Sequence, residues 1–128
     1  MCNNEYNGSA LKGKWNYFNN QNDYSEIWFN DSLALTLDAT SYNIEYYKYE
    51  TTKDSLFLYN MHQKNGKSNP IFSFRLTKKE NNHFIVENRF TKINLIRFDD
   101  IERIDTTASF RDSLYSAFGS RAMKLKGE

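Results

Sequence analysis

Eight short runs rich in β-favouring residues follow one another between residues 12 and 98, mostly nine to thirteen residues apart, with no helical period between them. That spacing constrains the chain more than any other feature. Antiparallel strands need only tight turns, whereas parallel strands need a crossover of a dozen or more residues, so a parallel α/β fold is excluded. The runs fall at 12–18, 24–29, 33–38, 42–50, 55–60, 71–77, 83–88 and 91–98. Their apolar content is mostly aromatic, with 10 Phe, 9 Tyr and 2 Trp against a single Val. Aromatic side chains fit a pleated, half-buried surface. One Pro and five Gly supply little turn chemistry, and 16 Asn stand between many of the runs instead. Asparagine bonds to its own backbone and tolerates left-handed conformations.

The 128 residues make one domain, long enough to bury a core. Leu, Ile, Val and Phe number 29, above the range of disordered chains. After Asp100 the period changes. Ile101, Ile104, Phe110, Leu114, Ala117 and Phe118 recur at mostly helical spacing, which predicts an amphipathic helix. Asp105, Thr106 or Thr107 is expected to cap it and Gly119 to stop it. The expected layout is a polar tether over 1–9, a barrel with its helix over 10–119 and a tail over 120–128.

Two residues favour a closed barrel over a sandwich. In an eight-stranded up-and-down barrel the last strand returns to pair with the first, which abolishes the edges. The face of the first run carrying Gly13, Trp15 and Tyr17 then meets the face of the last carrying Ile93, Leu95 and Arg97. Trp15 and Arg97 are expected to close one end together, with Gly13 allowing close approach. Gly13-Lys14-Trp15 opening the first of eight strands, with Arg97 on the last and a helix after it, resembles the lipocalins and related small barrels. The resemblance covers about residues 10–118. It implies an all-β, eight-stranded antiparallel up-and-down barrel with a C-terminal amphipathic helix, and a binding activity without a named ligand. The chain departs from that family in its length and in having no disulfide.

Catalytic chemistry has no visible carriers. His62 and His83 stand far apart without metal-ligand spacing, and no glycine-rich phosphate loop or Gly-x-Ser-x-Gly occurs. The chain therefore reads as a protein that is not an enzyme, with no cofactor and no metal. A net charge of +1 argues against a general nucleic-acid binder. Residues 1–60 hold 4 basic and 8 acidic side chains, and residues 61–128 hold 13 and 8, so opposite walls differ in charge.

Strand alternation selects the candidate binding residues. Trp28, Leu35, Tyr42, Ile44, Tyr46, Phe72 and Phe74 are expected to line the interior around a small apolar or amphipathic ligand. Tyr47 and Tyr49, of opposite parity, are then expected to face out as a partner-binding patch. Three functions follow: a lipocalin-like envelope protein carrying such a ligand, a protein-binding barrel such as an inhibitor or a toxin-neutralising immunity protein, or a structural accessory of a surface complex. The lone Cys2, next to Met1 and ahead of a polar stretch, suggests the lipid-attachment residue of a bacterial lipoprotein, and so an envelope location. If Cys2 is not lipidated, a cytoplasmic location is expected. The oligomeric state is left open.

Overall fold

The computed structural model describes residues 11–39, 43–61, 69–100, 104 and 107–125, with side chains as far as Met123. Cys2, Tyr42 and His62 lie outside the described residues. The strands are β1 Gly13–Phe18, β2 Tyr24–Phe29, β3 Leu33–Asp38, β4 Ile44–Thr51, β5 Ser55–Asn60, β6 Phe72–Glu80, β7 His83–Glu87 and β8 Lys92–Asp99. The helix α1 spans Ala108–Leu125. All eight strands pair antiparallel with their sequence neighbours, and β8 pairs with β1, so the sheet is a closed up-and-down barrel.

Asparagine builds the tight turns as its abundance predicts. The Asn19 side chain accepts from the backbone of Gln21 and Asp23 at 3.0 and 2.9 Å, while Asn22 adopts a left-handed φ of 64°. Asn30 accepts from Ser32 and Leu33 at 2.9 and 2.7 Å, and Asn88 accepts from Phe90 and Thr91 at 2.9 and 3.1 Å. Each carbonyl oxygen satisfies two donors that a hairpin would otherwise leave to water.

The barrel closes where the sequence places it. Trp15 lies opposite Arg97 in the β1–β8 register, and the guanidinium stacks 4.4 Å from the indole centroid. Such a contact contributes about 0.5–2 kcal/mol. Trp15 is fully buried, meets Phe84 edge-on at 5.4 Å and donates through Nε1 to the Leu11 carbonyl at 2.7 Å. Arg97 also donates to the Lys12 carbonyl and, at 3.0 Å, to the Asn82 side chain. It thereby ties the entry of β1 to the β6–β7 turn. Gly13 has a φ of +140° and faces the Arg97 guanidinium, with the Asp99 carbonyl 3.2 Å from where a Cβ would stand. Both the backbone angle and the space require glycine there.

Two apolar layers result, and their division corrects the expected parity. Inside the barrel, Trp15, Ile27, Phe29, Ala34, Tyr49, Leu56, Leu58, Leu76, Phe84, Val86 and Leu95 form one cluster with Leu11. On the outer wall of β2–β4, Tyr24, Trp28, Leu35 and Leu37 form a second cluster with Leu114, Phe118 and Ala122 of α1. Trp28, Leu35, Ile44 and Tyr46 therefore face the helix and not the interior. Tyr47 and Tyr49 face inward and not outward. The physical reason is the helix: it buries the outer wall, so the apolar face of a strand need not be the inward one and alternation alone does not say which is inside.

The helix itself starts as expected and ends later. The Thr107 hydroxyl accepts from the Phe110 amide at 3.3 Å, an N-cap. Phe110, Leu114, Phe118 and Ala122, each four residues on, face the barrel, whereas Ala117 is exposed. Gly119 does not end the helix, which continues through Leu125. A mid-helix glycine costs about 1 kcal/mol, and the residues beyond it carry an offsetting contact. Arg121 reaches the fully buried Glu26 of β2 with nitrogen–oxygen distances of 2.6 and 2.8 Å.

Candidate functional site

The strand ends opposite Trp15 frame a cavity. β1, β3 and β5 finish at that end, and β2, β4, β6 and β8 begin there. Trp15, Phe84 and Arg97 fill the other end. Between them the interior holds a half-enclosed space of about 190 Å³. Ile27, Leu56 and Leu95, of the same buried cluster as Trp15, lie deep in it, and Leu58, Phe74, Val86 and Ile93 form apolar walls. Phe72, 42% exposed, stands at the rim.

The polar groups of the cavity come from adjoining strands at the open end. Tyr17, Thr36, Asp38 and Tyr47 all line it. Cross-strand partners in an antiparallel pair project from one face. Tyr17 is opposite Ser25, Ser25 is opposite Asp38, and Tyr47 is opposite Ala34. Inward parity thus passes from β1 round the wall. Asp38 is the one charged residue lining the cavity among the described residues.

Burial and negative charge hold the two phenols neutral. The Tyr17 hydroxyl is pushed up to about 12, first by burial and then by the nearby Asp38 carboxylate, against an opposing hydrogen bond with Ser25. Tyr47 is likewise pushed up to about 12, by burial and by the Glu45 carboxylate that accepts its hydroxyl at 3.0 Å. A hydrogen bond with the Thr36 side chain opposes the rise at Tyr47. Deeper in the barrel Tyr49 is also raised, by burial and by Asp31, and it donates to the Asn30 carbonyl at 2.5 Å. Tyr49 stacks edge-on against Phe29 at 4.8 Å, so it is a packing residue and not a surface contact.

Outside the rim lies an open groove of about 820 Å³. Ile44, Tyr46, Met61, Ile71 and Phe72 give it an apolar floor, and Glu45 and Arg111 give it one charge of each sign. Tyr47 and Phe72, whose rings meet edge-on at 6.0 Å, line both spaces, so groove and cavity adjoin.

Of the seven residues expected around a ligand, Phe72 and Phe74 are brought together at the cavity. Ile44 and Tyr46 reach the outer groove, while Trp28 and Leu35 are buried beneath α1. Tyr47 joins the cavity from the opposite expectation. Alternation put Tyr17, Ile93 and Leu95 on inward faces without naming them for the ligand, and it missed Thr36, Asp38, Leu56, Leu58 and Val86 as lining residues. A signal for some of them was present: the asparagine turns set the pairing, and partners of the inward Tyr17 must also face inward. His83 lies on the surface, its Nε2 3.0 Å from the Asn94 side-chain oxygen.

No family model, curated protein or solved structure matches this chain.

Proposed function

We propose that this chain is a lipocalin-like binding protein that holds one compact, largely apolar molecule in the open half of its barrel. The supporting observation is the half-enclosed space of about 190 Å³ between the Trp15 plug and the tyrosine-bearing rim. Drug-sized sites occupy roughly 300–1,000 Å³. An engineered apolar cavity of about 150 Å³ takes up benzene. A single ring or a short chain is therefore the right size, and a long-chain fatty acid is too large to lie wholly inside. The convergence of apolar walls with a few polar groups at one end is the usual form of such sites.

Titration of the protein with single-ring compounds, followed by NMR, tests this reading. The shifts are expected at Tyr17, Tyr47, Phe74 and Val86, and Val86→Phe is expected to abolish them by filling the space. Unmoved resonances across the panel would count against a binding cavity. Tryptophan fluorescence is a poor reporter here, because neither Trp15 nor Trp28 lines the space.

The outer groove favours a second reading, a barrel that binds a protein as an inhibitor or immunity protein. Ile71 and Phe72 are 47% and 42% exposed at its edge, and exposed apolar surface of this kind marks partner contacts. This surface takes the place of the Tyr47 and Tyr49 patch. Ile71→Asp would abolish partner binding while leaving single-ring titrations unchanged. On either reading, lipidation of Cys2 would hold the barrel at a bacterial envelope, and mass spectrometry of the natively expressed protein for an acylated N-terminus decides it.

A further inference from the structure

The cavity selects by chemical class as well as by size. We infer that its ligand is a hydrocarbon, one ring or a short chain that carries no hydrogen-bonding group. This rests on the reading of the cavity as a small-molecule site and goes beyond it to the class of molecule.

The polar side chains at the mouth carry the inference, because each is already engaged within the fold. Tyr17 shares a hydrogen bond with Ser25, which is fully buried and donates to the Asp23 carbonyl at 3.3 Å. Tyr47 donates to Glu45 at 3.0 Å and is hydrogen-bonded with the Thr36 side chain. Glu45 lines the outer groove and not the cavity, so the Tyr47 proton is directed away from the space. Asp38 has interactions of its own within the fold as well.

The register explains why these groups satisfy one another. Tyr17, Ser25 and Asp38 stand side by side across β1, β2 and β3. Thr36 holds the next inward position on β3 from Ala34, the partner of Tyr47. Opposite and diagonal neighbours on one face of a sheet lie within reach of each other. The polar residues therefore form a belt along the mouth that is bonded within itself and to the strands around it.

Below the belt the cavity offers apolar contact. Leu56 and Leu95 lie deep in it, and Leu58, Val86 and Ile93 wall it. A hydroxyl or amine carried into this space gives up its water and meets either these walls or a belt group whose existing bond it must displace. Both outcomes are unfavourable. A hydrocarbon of the same shape gives up only the hydration of apolar surface, which favours entry.

Calorimetric titration of the full chain at neutral pH with three uncharged probes of one shape tests the inference: toluene, phenol and aniline. Toluene is expected to bind about tenfold or more tighter than the other two, which bury a polar group without a new partner. Thr36→Val keeps the shape of the side chain and removes the hydroxyl bonded to Tyr47. It should bring phenol closer to toluene, because the Tyr47 oxygen then accepts from the phenol, and leave toluene unchanged. Should the variant unfold, the ranking on the unmodified chain still decides. Phenol or aniline binding as tightly as toluene overturns the hydrocarbon class while leaving the cavity as a binding site. A gap that is unchanged in Thr36→Val overturns the Thr36–Tyr47 bond as its cause. Failure of all three probes to bind overturns the binding reading itself and the inference with it.

Discussion

Nε and Nη2 of Arg121 lie 2.6 and 2.8 Å from the two carboxylate oxygens of Glu26, across the seam between α1 and the barrel. Glu26 is fully buried and also accepts from the Tyr24 hydroxyl at 2.6 Å and from Trp28 Nε1 at 3.0 Å. Four donors thus surround one carboxylate. The same guanidinium stacks 4.9 Å from the Phe98 ring of β8. Burial pulls its proton affinity down, and the Glu26 hydrogen bonds and charge, with Tyr24, more than reverse this. The helix is therefore held by a directional polar contact set within an apolar seam.

Arg121→Met tests that contact. It leaves the Glu26 charge buried without its cation, and breaking such a pair costs about 3–5 kcal/mol. Urea unfolding should show a loss of that size. The double variant with Glu26→Gln should recover most of it, because no unpaired charge remains. A loss under about 1 kcal/mol for Arg121→Met, the range of exposed ion pairs, would mean that the contact is solvated.

The closed end makes a separate prediction. Trp15→Ala is expected to cost about 3–5 kcal/mol, as truncation of a large buried ring does. Arg97→Ala should cost less, about 2 kcal/mol, through the lost stacking and stem packing. Gly13→Ala combines a left-handed backbone with an overlap on the guanidinium, a strain of about 1–3 kcal/mol. The Gly13→Ala and Arg97→Ala costs should then sum to more than the double variant shows, since removing Arg97 relieves the overlap.

Alkaline pH should unfold the barrel in a definite window. Tyr17 and Tyr47 have folded values raised from 10.0 to about 12. A group raised on folding adds stability that is intact below its unfolded value and disappears as pH rises through the folded one. Stability should therefore hold up to about pH 9 and fall between about pH 10 and 12. Urea midpoints across that range, with near-UV absorbance of phenolate, measure it. Tyr17→Phe should flatten the fall, and an unchanged slope would remove Tyr17 from the explanation.

Asn30→Ala addresses the turns. It deletes the acceptor for two backbone amides at the β2–β3 hairpin. A loss of about 1–2 kcal/mol is expected, in line with the net value of one or two hydrogen bonds. Asn30→Asp retains the acceptor and should retain stability, as thermal unfolding would show.

The amount of the fold legible in the sequence follows from which signals are local. Strand positions were readable to within three residues, because β-favouring runs and asparagine turns are short-range features. The Trp15–Arg97 closure was readable too. Its two residues have compatible parity, and a closed antiparallel barrel leaves the first and last strands no other partner. The Thr107 cap belonged to the same class of signal.

What the sequence alone determined was therefore the set of strands, their antiparallel order and the plugged end, all consequences of turn length and side-chain period. The assignment of faces came only with the tertiary structure. Leu33, Leu35 and Leu37 alternate with Ala34, Thr36 and Asp38 whether the leucines point into a barrel or under a helix. The docking of α1 decided it, through Glu26 with Arg121 and the Trp28 and Phe110 rings 6.2 Å apart. A helix lying on the outer wall offers an apolar surface beyond the barrel, so the larger side chains of β3 gather there. The smaller and more polar face, Ala34, Thr36 and Asp38, is left to the interior. That choice of side is also what opens the cavity: leucines turned inward on β3 would occupy the space that Thr36 and Asp38 leave beside Tyr17 and Tyr47.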